Sequence, residues 1–272
     1  MGEFILKRLL LCVLILFFVM FIVYALMFSL PTSYVDTMAR ELATKPGSLK
    51  SAQEWLDELN AAYGFDRGIV GGYFTWLSTV LTGDFGDSWY YTLPVVEKFN
   101  DVIWFSVAMS LAAFIFETVI AVYLGVTAAR KQYSMTDFTV TVIALLCISM
   151  PTFFLATLLK LIFSIKLGWF DLVGMQSRDY MLLSDFGKFL DLCKHMVLPV
   201  ITLTMVGIGG LMRYTRTSML EVLNSDYIRT ARAKGLTERR VLYGHVMRNA
   251  MLLVVAGIPQ ALIEVFFAGS LL

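Results

Sequence analysis

The 37 residues from Arg213 to Asn249 hold eight of the chain's 22 lysines and arginines. They are Arg213, Arg216, Arg229, Arg232, Lys234, Arg239, Arg240 and Arg248, and apolar blocks flank the stretch on both sides. A segment this polar does not cross a bilayer. Its chemistry is recognition, either of an acidic surface or of a cleft that accepts a short helix. Elsewhere, chemically active side chains are scarce. Glu117 and Glu264 are acids in the middle of apolar runs, and Ser149 and Pro151 interrupt another. A carboxylate at mid-span costs about 2.5–3.5 kcal/mol on insertion scales, so Glu117 must face protein or a water-filled path. Glu117, Ser149 and Pro151 are therefore candidates for lining a translocation path, with structural packing the competing role for each. His195 and His245 are predicted on opposite membrane faces and cannot form one site. The sequence has no G-x-x-x-x-G-K-S/T phosphate loop, no H-E-x-x-H and no C-x-x-C. No Ser/His/Asp set can be gathered on one face. The expected role is transport or docking, with no catalytic residue, metal or cofactor.

The basic stretch itself reads as a helix, a turn and a second helix. Asp226 can cap the first helix, its carboxylate accepting a backbone N–H and complementing the positive helix end. Ala231, Ala233 and Lys234 favour helix, and Gly235 is the residue best able to take the left-handed stop that follows. Thr237 is placed to cap the second helix, with Glu238 in its first turn.

The elements that must hold this loop are apolar. The chain is 58% hydrophobic and 16% charged, with a mean hydropathy of +0.73. A soluble domain is nearer half apolar and a quarter charged. Leu9 to Leu30 follows Lys7 and Arg8, and about 22 helical residues reach roughly 33 Å, enough for a hydrocarbon core of about 30 Å. Further spans are predicted over Val102–Ala129, Phe138–Ile165 with a proline kink at Pro151, His195–Met212, and from Ala250 to the chain end. The predicted fold is all-α, a polytopic transmembrane bundle with five spans visible. Its parts are an N-terminal helix (1–31), a small extracytoplasmic subdomain (32–101) and a core (102–272) carrying the loop 213–249. In the subdomain, Ser51-x-x-Glu54 is a capping box opening a helix with Leu49, Ala52, Leu56, Leu59 and Tyr63 at helical spacing, and Gly64 ends it. Tyr73, Phe74, Trp76, Phe85, Trp89, Tyr90 and Tyr91 suit a membrane edge. Placing the N-terminus in the cytoplasm puts Lys7, Arg8, Arg130, Lys131 and the eight loop cations inside, and the acid-rich 31–101 insert outside. A net charge of +1 gives no indication of a nucleic-acid partner.

Asp226-Tyr-Ile-Arg-Thr-Ala-Arg-Ala-Lys-Gly235-Leu236, followed by Val241, His245 and Arg248-Asn-Ala250, resembles the cytoplasmic coupling loop of ABC-importer permeases of the oligopeptide/dipeptide/nickel family. Gly64-Phe-Asp-Arg67, Tyr73-Phe-Thr-Trp76, Gly83-Asp-Phe-Gly-Asp-Ser88, Leu167-Gly-Trp-Phe170 and His195-Met-Val-Leu-Pro199 are similar to further elements of that family. The likeness runs over nearly the whole chain. Gly68-Ile69 and Leu252-Leu253 depart from its prolines, and the chain ends at Gly269-Ser-Leu-Leu272 before the family's sixth span. The resemblance implies a multi-pass permease subunit of the bacterial inner membrane that takes up di- or oligopeptides, or a nickel or other chelate. It implies pairing with a second homologous permease, two ATP-binding subunits and an extracytoplasmic solute-binding protein. Asp226, Tyr227, Arg229, Thr230, Ala231, Arg232, Ala233, Lys234, Gly235 and Leu236 would make the ATPase contact. The alternative is a self-sufficient channel or ion-coupled secondary transporter, which predicts inverted repeats and several intramembrane charges.

Overall fold

The computed structural model describes residues 1–30, 34–45, 50–88, 90–91 and 93–265. Pro31, Leu49, Trp89 and the terminal Gly269–Leu272 lie outside the described residues. The chain divides into two compact units, Met1–Lys98 and Phe99–Leu272.

In the first unit, α1 (Gly2–Phe28) is apolar all round and buries none of its residues. Such a surface requires lipid or a protein partner. α2 (Tyr34–Thr44) and α3 (Ala52–Tyr63) follow. The capping box is formed at α3: Ser51 Oγ accepts from the Glu54 N–H, and Glu54 Oε2 accepts from the Ser51 N–H at 2.7 Å. Gly64 closes α3 at φ +74°, in the left-handed region that glycine enters without steric cost. A single 3₁₀ turn (Phe65–Arg67) leads into α4 (Gly68–Leu81). α4 is fastened to α1 by Tyr73, which is fully buried and donates its hydroxyl to the Phe17 carbonyl at 2.9 Å. Phe17, Phe21 and Tyr24 meet its ring edge-on. A two-residue ribbon, β1 (Asp87–Ser88) on β2 (Leu93–Pro94), precedes the long α5 (Val95–Arg130).

The second unit contains the rest of α5, then α6 (Met135–Ser149), α7 (Thr152–Leu159), α8 (Asp185–Leu223), α9 (Asp226–Ala233), α10 (Glu238–Arg240) and α11 (Met247–Val265). Among the described residues, α1, α5 and α8 are each long and apolar enough to cross a membrane, and the number rises to five if each of two bent helix pairs is one span. One of those pairs corrects a sequence expectation. The span over 138–165 is not one kinked helix. α6 ends at Ser149, and the helix after Pro151 departs at 100°. Met150 is extended at ψ 125° because a residue preceding proline is driven out of the helical region. α8 likewise exceeds the expected 195–212. Its 39 residues reach roughly 58 Å, well beyond a hydrocarbon core, and carry the helix into the basic stretch.

Candidate functional site

α8 stops at Leu223, and Ser225, not Asp226, takes the N-cap position of α9. Asp226 sits one residue later in the first turn, where its charge still complements the helix end. The C-terminus of α9 is a complete Schellman turn. The Gly235 N–H bonds the Arg232 carbonyl at 2.9 Å and the Leu236 N–H reaches the Ala231 carbonyl at 3.4 Å. Gly235 has φ +75° and nothing within 4 Å of where a Cβ would stand. Its role is therefore conformational. Thr237 holds the N-cap position of α10, with Glu238 in the first turn, but its side chain makes no cap bond. A widened π turn over Val241–Val246 joins α10 to α11.

Two polar ties fix the angle between the helices. Arg232 Nε donates to Glu238 Oε1 at 2.8 Å, with a second contact from Nη2 to Oε2 at 3.4 Å. Asn249 Nδ2 donates to the Tyr227 hydroxyl at 3.0 Å and to the His245 carbonyl at 3.2 Å. His245 is exposed. Beneath these ties lies an apolar cluster. Ile228 and Ala231 of α9 pack with Val126 and Ala129 of α5, Met219 of α8, and Val241, Leu242, Val246 and Ala250. Full burial of Ile228 alone is worth about 1.5–3 kcal/mol. The Arg232–Glu238 pair is partly exposed and is worth at most about 1 kcal/mol. The apolar face is therefore the main anchor of the loop.

This anchoring divides the sequence-predicted contact residues into two sets. Asp226, Tyr227, Arg229, Thr230, Arg232, Ala233, Lys234 and Gly235 are exposed. Ala231 is turned inward at 8% exposure and Leu236 is half-buried against the same cluster. These two position the loop and are not available to a partner, because period 3.6 puts 228 and 231 on the same buried stripe. Beside the second helix, Thr237, Arg239, Arg240 and Tyr243 line a shallow concavity of about 400 Å³.

The path candidates fall elsewhere in this unit. Glu117 of α5 rests against Gly207 of α8, where a Cβ would come 2.2 Å from its carboxyl carbon. Gln260 Nε2 donates to Glu264 Oε1 at 3.2 Å. Ser149 uses its hydroxyl on the Leu145 carbonyl at 2.8 Å, and Pro151 is the N-cap of α7. Among the described residues no hydrogen bond or ion pair links either of them to Glu117.

Two features were not foreseen. The His195 ring is almost buried between Asp171, whose Oδ2 lies 3.3 Å from Nε2, and Asp191, whose carbonyl lies 2.8 Å from Nδ1. The i,i+4 spacing of Asp191 and His195 was its one local signal. Asp137 at the start of α6 receives Arg216 of α8 in a two-point pair at 2.6 and 2.8 Å. These partners are 79 residues apart and share no local pattern.

Long apolar helices joined by a polar helix–glycine–helix loop define a multi-pass membrane protein. The family described as "Binding-protein-dependent transport system inner membrane component" matches residues 121–272, and its N-terminal companion matches residues 1–95. The chain belongs to this family. It is 34% identical to the dipeptide transport system permease protein DppB of Escherichia coli, over all of this chain and 83% of that one. It is 35% identical to the oligopeptide transport system permease protein AppB of Bacillus subtilis, over 81% of this chain and 68% of that one. With the peptidoglycan transport system permease protein YejB of Agrobacterium fabrum the identity is 34%, over 80% of this chain and 61% of the relative.

Proposed function

We propose that the chain is a permease subunit of an ATP-driven importer for di- or oligopeptides, working beside a second homologous permease, two ATPase subunits and an extracytoplasmic binding protein. The N-terminus and the basic loop face the cytoplasm. The observation that carries this reading is the two-sided α9. Ile228 and Ala231 fasten it to the bundle while Tyr227, Arg229, Thr230, Ala233 and Lys234 stay open for a partner. Such an element has no use without something to dock on it. The sequence holds no phosphate loop, so in this reading the energy of ATP reaches the chain through such a contact. Nucleotide binding on the partner then biases the bundle between two arrangements, as any ligand with unequal affinity for two states does.

The relatives' printed names supply the solute class, which supports peptides as the cargo. The mid-span acids Glu117 and Glu264 support a place on the path. Acids of this kind are also what an ion-coupled carrier would need, so the test separates the two. The tagged chain is co-expressed with its cognate ATPase subunits and purified, and peptide uptake is measured in proteoliposomes with and without ATP. The expected result is co-purification of the ATPase with ATP-dependent uptake, and loss of both in Thr230→Glu. Uptake by the isolated chain on an ion gradient would establish the carrier instead.

A further inference from the structure

α6 and α8 run antiparallel, and two contacts seven residues apart on each helix mark their register. At the loop end, Asp137 meets Arg216. Seven residues further along α6 and seven back along α8, Gly209 lies so close to Ala144 that a Cβ on it would stand 2.5 Å from the Ala144 carbonyl oxygen. The register is set hardest at its polar end. Asp137 is 6% exposed and Arg216 24%. Asp137 also accepts the Tyr133 N–H at 3.0 Å and lies 3.5 Å from the Thr141 hydroxyl. All its acceptor capacity is directed at holding one geometry, and a planar guanidinium fork matches a carboxylate in only one arrangement. Just beyond Arg216, buried Met219 of α8 enters the cluster that seats α9. On the other side of Arg216, Thr215 abuts Gly125 of α5, where a Cβ would stand 2.7 Å from it.

We propose that the Asp137–Arg216 pair is a positioning strut of the transport cycle. It locks α6 in register on α8, so that a displacement of α9 is delivered to the Ser149–Pro151 break and not absorbed by sliding of α6. This rests on the coupling reading of the loop given above. α9 moves the end of α8 through the apolar cluster, α8 carries Arg216, and Arg216 carries the N-terminus of α6. At Gly209 the Ala144 carbonyl and the Ile148 side chain set how closely the two helices approach. The ion pair adds a directional tie that a slide along the helix axes would break.

The test uses the full complex with its ATPase subunits in proteoliposomes, reading peptide transported per ATP hydrolysed. Asp137→Asn and Arg216→Gln are each expected to co-purify the ATPase in wild-type amount, to keep hydrolysing ATP, and to lose transport per ATP by tenfold or more. The exchanged pair, Asp137→Arg with Arg216→Asp, is expected to recover a substantial part of that ratio. If the single variants do not accumulate, Asp137→Glu decides. The added methylene keeps the charge but shifts the register, and the ratio is expected to fall several-fold. An unchanged ratio in the single variants, or in Asp137→Glu, overturns the proposal. So does a proportional fall of transport and hydrolysis that the exchange does not repair, since that marks a purely structural pair. Failure of the loop reading is seen separately, as absence of the ATPase from the wild-type preparation.

Discussion

Replacing Gly235 isolates the shape of the loop from its contacts. The residue sits at φ +75°, and no atom lies within 4 Å of the place a Cβ would occupy. A substitution therefore meets no steric neighbour, and its cost is that of holding an L-residue in the left-handed region, about 1–2 kcal/mol. A β-branched side chain is worse there, whereas asparagine enters the region at little cost. The turn orders the chain between α9 and α10, so this cost falls on the loop shape the partner must receive. At 1.4 kcal/mol per tenfold, Gly235→Ala should weaken ATPase binding about 5- to 30-fold. Gly235→Val should weaken it more, and Gly235→Asn should stay within a few-fold of wild type. The assay is titration of purified ATPase subunit onto the chain in lipid nanodiscs, with uptake measured on the same preparations. Wild-type binding by Gly235→Val, or equal damage from Asn and Val, would refute the reasoning, because only the backbone argument separates the two.

Ile228→Ala empties the fully buried centre of the cluster beneath α9 and should cost about 2–5 kcal/mol locally. Amide exchange over 226–236 should accelerate while that of α3 stays unchanged. Gly207→Ala drives a methyl into the Glu117 carboxylate, so either the acid or the helix must move. Uptake should fall with ATPase binding intact, and Glu117→Ala in the same chain should relieve the clash and restore helix packing, as read by thermal unfolding. In the first unit, the bond from the Ser51 N–H holds the Glu54 carboxyl below its ordinary range. A lowered folded-state value stabilises α3 at pH above the ordinary carboxylate range, and that contribution is lost as pH falls through the depressed value. Amide exchange at the first turn of α3 should therefore rise on acidification, and Glu54→Gln should flatten the response.

What the sequence revealed and what it hid follow from range. Gly235 and the Ser51–Glu54 box could be read because each conformation is carried by one residue type at a short spacing. The inward turn of Ala231 was equally available from the 3.6-residue stripe it shares with Ile228, but the resemblance implied every residue of 226–236 except Ile228 as one contact surface. The continuation of α8 to Leu223 was masked by polar composition. Thr215 and Ser218 are buried although their residue types suggested exposure. Pro151 signalled a kink, yet the 100° break depends on Met150 being extended, a restriction that acts on the residue before the proline. The Asp137–Arg216 pair left no trace in the sequence, because its partners meet only once α6 and α8 have packed.

In the coupling reading proposed above, the exposed face of α9 is seated in the ATPase. A photo-crosslinking residue at Ala233, which is exposed and makes no hydrogen bond through its side chain, addresses it directly. In the intact transporting complex the account predicts a covalent adduct between this chain and the ATPase subunit, absent when the probe is moved to the buried Ala231. Adducts to lipid alone, in a complex that still holds the ATPase and still transports, would contradict it.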